Sequence, residues 1–272
     1  MDSALIDLNV DAGESFGPWQ MGDDEAVFPL VSTVNIACGF HAGDPGTMHD
    51  ALERAKKLGL AVGAHPGLPD LLGFGRRALA VSPRELHDLL LYQLGAIWGM
   101  ARSLGIKVSH AKMHGALTAP VGEAPGMAEA IVRAVRDFDE RLPLYVIPGT
   151  AISVAAARLD HPTVSEGLPE RGYLPDGKLA PRSLPGAVIT DPDAAAQRAL
   201  QMVAEGTVSA IDGTVVHVAV QSLGIHGDNP KVVGIATKIR STLLGAGIAI
   251  ESLSKPDETA LWPAGASMLD TR

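Results

Sequence analysis

The strongest constraint on the fold is a rhythm. Short runs rich in β-branched and aliphatic residues recur at ALIDLNV (4–10), TVNIA (33–37), LAVGA (60–64), IKVSH (106–110), LPLYVI (142–147), TVSE (163–166), TVVHVAV (214–220) and IAIE (248–251). Glycine-rich loops and amphipathic stretches separate them, and strands of this kind, alternating with helices, build parallel sheets buried on both faces. The helices mark their own starts. Asp44-Pro45, Ser82-Pro83, Asp191-Pro192 and Asn229-Pro230 each put a side-chain acceptor at the N-cap and proline at the first helical position, where its missing N–H costs nothing. In the longest helix Ser82 and Glu85 make a capping-box pattern. Leu86, Leu90, Leu94, Ile97, Ala101 and Leu104 then recur at steps of three and four before Gly105 ends the run.

No low-complexity linker or charge block divides the 272 residues, so the expected fold is α/β, a single (β/α) barrel of about seven or eight parallel strands over residues 1–272, rather than two smaller domains. Residues 167–186, rich in Gly, Pro and Arg without a period, read as a functional excursion. The last ~15 residues read as a surface-lying tail.

Charge narrows the partners. With 31 acidic and 22 basic residues the formal charge is −9, which disfavours nucleic acid and anionic membrane and leaves a small molecule or another protein. One cysteine makes no intramolecular disulfide, and the N-terminus has no basic region before its short apolar run. The expected location is the cytoplasm.

Loops leaving the C-terminal ends of parallel strands converge on one face. Asn9, Asp11 and Glu14 belong to the first strand and its loop, Cys38 and His41 to the second, and His65 to the third. Lys112 and His114 follow the fourth; Glu166, Glu170 and Arg171 lie on or after the sixth, and His226 and Asp228 after the seventh. Of nine histidines, His41, His65, His114 and His226 lie beside glycines in such loops. His49, His87, His161 and His217 read as ordinary surface or core residues, and His110, at a strand end, fits either reading.

Two chemistries remain open for this set. Imidazoles with a carboxylate form the usual catalytic site for a divalent metal, and Asp11 with His41 and His65, or with His114 or His226, would supply it. No contiguous metal signature is present, so that reading depends on the fold bringing distant loops together. Alternatively, Asp11 or Glu14 acts as general base and a histidine as general acid, with Lys112 facing an anion. Cys38 reads better as a buried small hydrophobe than as a nucleophile. No dinucleotide or P-loop fingerprint occurs, although the helix start at Asp44-Pro45 would offer an anion its positive end.

Read together, the stretches from DLNVDAGESFGPWQ through NIACGFHAGDPGTM, with GAHPGLPDLLGFGRR, KMHGAL, RGYLPDGKLAPRSLPGAVI and IHGDNP, resemble the LamB/YcsF family from near residue 6 to near residue 251. The resemblance implies a barrel of the sugar-deacetylase type that serves as the A subunit of an ATP-dependent 5-oxoprolinase, opening the lactam 5-oxoproline to L-glutamate while ATP goes to ADP and phosphate. It also implies partner subunits B and C, with ATP and magnesium as cofactors; self-association stays open. On that reading Asp11, His65, His114 and Lys112 are catalytic, and Asn9, Glu14, His41, Arg171, His226 and Asp228 bind substrate. The alternatives are a stand-alone metal-dependent hydrolase of a small cyclic amide or acylated sugar and a non-catalytic subunit that presents substrate. The chain departs from the family pattern at Met113, Thr118, Pro169, Gln221 and Gly224, which opens the pocket to other cyclic amides.

Overall fold

The computed structural model describes residues 5–254. Seven parallel strands close into a barrel: β1 (Leu5–Ala12), β2 (Thr33–Ala37), β3 (Ala61–His65), β4 (Val108–Lys112), β5 (Leu144–Val146), β6 (Thr163–Gly167) and β9 (Ser222–Ile225). The ring shuts where β9 pairs with β6 on one side and β1 on the other, with Asp7 opposite Ser222 and Asn9 opposite Gly224. Two strands, β7 (Thr207–Ser209) and β8 (Val215–His217), form an antiparallel hairpin outside the ring, and β10 (Ala249–Ile250) pairs with β1 alone.

Helices alternate with these strands: α1 (Asp24–Val27), α2 (Pro45–Leu58), α3 (Pro83–Ser103), α4 (Met127–Phe138), α5 (Ala151–Arg158), α6 (Pro192–Glu205) and α7 (Val232–Gly245). Their starts follow the sequence. Asp44, Ser82 and Asp191 each accept from a first-turn N–H, and the Ser82–Glu85 capping box is closed in both directions. Asn229-Pro230 differs: its side chain accepts from the Lys231 N–H in a turn, and α7 begins at Val232. Among the described residues no helix is long and apolar enough to cross a membrane.

The apolar core lies between strands and helices, not inside the ring. Leu8, Val10, Val34 and Ile36 point outward and are buried with Leu52 of α2, Leu90 and Ile97 of α3, and Ile235 and Ile239 of α7. Successive strand residues face opposite sides, so Asp7, Asn9 and Asp11 of β1 point into the lumen, where Thr33, Asn35, His65, His110, Lys112, Tyr145, Glu166 and Ser222 meet them. This barrel has a polar interior wrapped in an aliphatic sleeve.

The expected seventh strand, 214–220, is corrected. Its β-branched residues form β8, where Val215 is 61% exposed. The barrel strand starts two residues past that run. High β-propensity reports side-chain shape rather than burial, and β9 hides its identity in Gly224. A Cβ there would stand 2.2 Å from Glu166 Oε1, so the ring requires glycine at a position that reads as a loop. The proposed excursion at 167–186 is irregular, pinned by bridges Arg171–Val188 and Tyr173–Leu179. The expected C-terminal tail lies outside the described residues.

Candidate active site

Three polar layers fill the lumen from bottom to mouth. At the bottom, Asp7 accepts from the hydroxyls of Ser32 (2.7 Å), Thr33 (2.6 Å), Tyr145 (3.1 Å) and Ser222 (2.5 Å). Burial pushes its carboxyl up despite these donors. In the middle, Asn35 donates to Asn9 Oδ1 (2.7 Å) and Asp11 Oδ1 (2.9 Å), His110 donates through Nε2 to Asn35 Oδ1 (2.7 Å), and Asn9 donates to Glu166 Oε1 (2.9 Å). His110 stacks on Tyr145 at 3.9 Å, and burial with the nearby Lys112 charge pushes its imidazole down to about 3.

Lys112 joins the middle layer to the mouth. Its ammonium lies 2.9 Å from Asp11 Oδ1 and 2.8 Å from Glu166 Oε1 and donates to Asn9 Oδ1 at 3.1 Å, all four side chains being buried. Burial opposes its charge, but the two carboxylates outweigh it and hold Lys112 above the usual ammonium range. Burial likewise opposes ionisation of Asp11, and its electrostatic coupling to His65 and to the Lys112 ammonium reverses that, holding Asp11 well below the ordinary carboxylate range. A buried cation between two carboxylates is stable only as a set.

The third layer holds four buried groups: Glu14, His41, His65 and His114. Two tautomers are fixed by backbone carbonyls, which only accept. His65 donates through Nδ1 to the Lys112 carbonyl (2.8 Å), and His114 donates through Nε2 to the Phe74 carbonyl (2.7 Å). Their remaining nitrogens, His65 Nε2 and His114 Nδ1, face one another at 3.0 Å. Glu14 Oε1 stands 3.4 Å from His41 Nε2, 3.5 Å from His114 Nδ1 and 3.9 Å from His65 Nε2. Burial pushes His65 down to about 3 and takes His41 and His114 well below the ordinary imidazole range; burial beside Asp11 and Asp228 raises Glu14. One oxygen or nitrogen from each of the four lies within 4.8 Å of the others, a donor set that could hold a metal ion.

The expected metal set of Asp11, His41 and His65 is brought together only in part: His41 and His65 share one group, and Asp11 reaches it through Oδ2, 3.4 Å from His65 Nε2. Asp11 Oδ1 is occupied by Lys112 and Asn35, and Glu14 is the carboxylate among the imidazoles. His41 faces Glu14 rather than Asp11 across the mouth. Cys38 is buried, and burial pushes its thiol up to about 12, which removes it as a nucleophile. The start of α2 offers no anion site either, because Asp44 already accepts from the N–H groups of Gly46 and Thr47.

A cavity of about 390 Å³ opens above these layers, and Asp11, His65, Lys112, His114, Glu166 and His226 line its floor and sides. Arg76, Arg171 and Arg182 bring three guanidiniums to its wall. Arg171 donates to the carbonyls of Ala180 (2.7 Å) and Ala187 (3.0 Å), so it also ties down the excursion. Asp228 pairs with Arg76 at 2.7 Å, and His226 Nδ1 is bound to Glu170, which also accepts from the His226 N–H (2.8 Å) and from Asn229 (3.0 Å). Asn9, Asp11, Glu14, His41, His65, Lys112 and His114 thus form one connected group, whereas Arg171, His226 and Asp228 stand on the rim.

Asp7, Asn35, Arg76, Tyr145 and Arg182 join the site without a motif to mark them in the sequence, and His110 and Glu166 take roles there that their positions in the chain do not announce. The signal for the first of these lay in DLNVD, where polar residues alternate within a strand that also reads as buried on both faces. In a closed parallel sheet such alternation means a polar lumen.

Comparison with known proteins agrees with this architecture. The LamB/YcsF family profile matches residues 6–258. The chain is 49% identical over 247 residues to a Thermus thermophilus protein named as the A subunit of 5-oxoprolinase, covering 91% of this chain and 99% of that one. It is 46% identical over 250 residues to a protein of the same name from Tolumonas auensis, covering 92% of this chain and all of that one. The solved structure of a lactam utilization protein from Thermus thermophilus superposes with a TM-score of 0.87 at 48% identity, over 91% of this chain and 99% of that one. A putative cellobiose-phosphate cleavage protein from Enterococcus faecalis, with a TM-score of 0.54 at 13% identity over 92% and 98% of the two chains, shares the barrel alone. On the family match and the near-full-length relatives, this chain belongs to the LamB/YcsF family.

Proposed function

We propose that this chain is the A subunit of an ATP-dependent 5-oxoprolinase and that its barrel mouth is where the lactam ring is opened. The observation that carries the reading is the buried Asp11–Lys112–Glu166 set at the floor of the cavity, beside His65 and His114. Names of near-full-length relatives supply the substrate.

An amide carbonyl is a poor electrophile, and ATP solves that chemically. Transfer of the γ-phosphoryl group to the amide oxygen, with loss of the N–H proton, gives an imidate phosphate. Water then adds to its carbon, the C–N bond breaks as the nitrogen takes up protons, and the resulting acyl phosphate is split by a second water to glutamate and phosphate. Catalysis of such steps rests on placing the water and stabilising negative charge. His65, neutral at working pH, and Asp11, ionised, stand where a water over the cavity floor would be oriented. The Lys112 ammonium faces charge developing on the former amide oxygen, and the three wall arginines suit the substrate carboxylate and the phosphoryl group. Partner subunits supply the nucleotide site, in keeping with the lack of a P-loop or dinucleotide fingerprint in this sequence.

The test is glutamate formation from 5-oxoproline and ATP, with and without the partner subunits. Turnover only in the full mixture, abolished by Asp11→Asn with the fold intact by circular dichroism, is expected. Full activity of the Asp11→Asn complex would remove the barrel mouth from the chemistry, and turnover without ATP would make the chain a stand-alone amide hydrolase.

A further inference from the structure

We propose that Glu14, His65 and His114 bind one divalent transition metal of the zinc class, with its open coordination position toward the cavity and with His41 outside the ligand set. His65 and His114 set two lone pairs in conflict. Because His65 Nδ1 and His114 Nε2 are both committed as donors to carbonyls, the nitrogens that face each other at 3.0 Å are both acceptors in the neutral rings. Two lone pairs aimed at one another in a buried site need something positive between them. Glu14 adds a third acceptor on the same point, and its Oε2 has no hydrogen-bond partner among the described residues.

The geometry fits an ion. Ligand atoms at about 2.0–2.1 Å from a tetrahedral zinc stand about 3.3 Å from each other. The three separations here, 3.0, 3.5 and 3.9 Å, bracket that value. The rings of His65 and His114 are 88° apart, so in-plane lone pairs from the two can meet at one point. Both histidines also carry the backbone-carbonyl partner on the far nitrogen that orients a ligating imidazole.

His41 does not fit in the same way. Its ring lies parallel to that of His114, 5° apart at 3.8 Å between centroids, and lone pairs in stacked parallel planes do not converge on one ion. His41 Nε2 instead faces Glu14 Oε1 at 3.4 Å, where its N–H would orient the carboxylate. It is a positioning residue. Three protein ligands with one position left is the arrangement of catalytic rather than structural zinc. His65 and His114 line the cavity and Glu14 and His41 do not, so the free position points at substrate space, next to Asp11 Oδ2, which lies 3.4 Å from His65 Nε2. Binding stands on geometry alone; the ion's part in turnover, holding the attacking water beside Asp11, rests on the hydrolytic reading above.

The experiment reads metal without substrate. Purified full-length chain is stripped with a chelator, titrated with zinc or cobalt(II), and passed through a desalting column before elemental analysis and visible spectroscopy. One retained equivalent and an intense d–d spectrum of low-coordinate cobalt are expected. His65→Gln, His114→Gln and Glu14→Gln should each lose stoichiometric binding, whereas His41→Gln should keep one equivalent and the same spectrum with affinity lowered by about tenfold, as for an outer-sphere partner. Wild-type chain that retains neither metal overturns the site, whatever the variants do. Loss of binding in a folded His41→Gln as complete as in His65→Gln overturns the three-ligand assignment. Neither result depends on whether 5-oxoproline is the substrate.

Discussion

At the scale of single residues, buried charge is the dominant quantity. Lys112 touches Asp11, Glu166 and Asn9 at once, so Lys112→Met leaves two buried carboxylates facing each other without a counterion. Loss of turnover and a fall in unfolding free energy of about 3–5 kcal/mol, read by urea denaturation, are expected. Adding Glu166→Gln to that variant should restore part of the stability and none of the activity. A second residue ties stability to pH. Burial, with Asp23 close by, raises the Asp24 carboxyl to about 6 from its ordinary 3.8, although it accepts the Gly13 N–H at 2.9 Å. A carboxyl raised in the folded state stabilises most below 3.8, and that contribution is lost as pH climbs through 6. Asp24→Asn keeps an acceptor for Gly13 and no longer ionises. It should gain at most about 2 kcal/mol over the parent at about pH 7.5 and nothing at about pH 3.5, by paired thermal melts at the two pH values.

At the scale of elements, helix α3 reaches into the site through one amide. Gln93, fully buried on a helix otherwise apolar on that face, donates to the Gly67 carbonyl and accepts the Gly67 N–H, both at 2.9 Å. Gly67 in turn has no room for a side chain, since a Cβ there would stand 2.3 Å from His41 Nδ1. The helix thus fixes the loop after β3, and the loop backs His41. Gln93→Leu leaves a buried N–H and carbonyl unpaired and should cost about 2–4 kcal/mol, with faster amide exchange at Gly67 as the local readout. The cap and apolar spacing of α3 were legible in sequence because they obey local rules. The role of Gln93 was not, because a lone glutamine on a helix carries no pattern until its partner is known. Strand β9 shows the same limit: Gly224 weakens its β signal and is required because Glu166 fills the space.

At the scale of the whole molecule, the ring is held across its lumen as well as around its edge. Asp7 gathers hydroxyls from the start of β2, from β5 and from β9, strands separated by up to 215 residues in the chain. Asp7→Asn turns an NH2 donor toward hydroxyls that donate to this position, and the whole barrel should lose about 2–4 kcal/mol in one cooperative transition. A folded chain whose β9 amides alone exchange faster would show instead that closure and the rest of the barrel are separable.

The sequence by itself determined the alternation of strands and helices, three of the four proline-marked helix starts, the loops that face the mouth and, through long motifs, the family. These follow from short-range rules: propensity, capping and period act within a few residues. Only the tertiary structure decided which strand closes the ring, that the lumen is polar, and how acids pair with bases there. Asp11 goes to Lys112 and Glu14 to the histidines because the stagger of neighbouring strands sets the depth of each side chain in the lumen, and in the low dielectric of that interior a difference of about one residue's rise decides which charge a carboxylate meets.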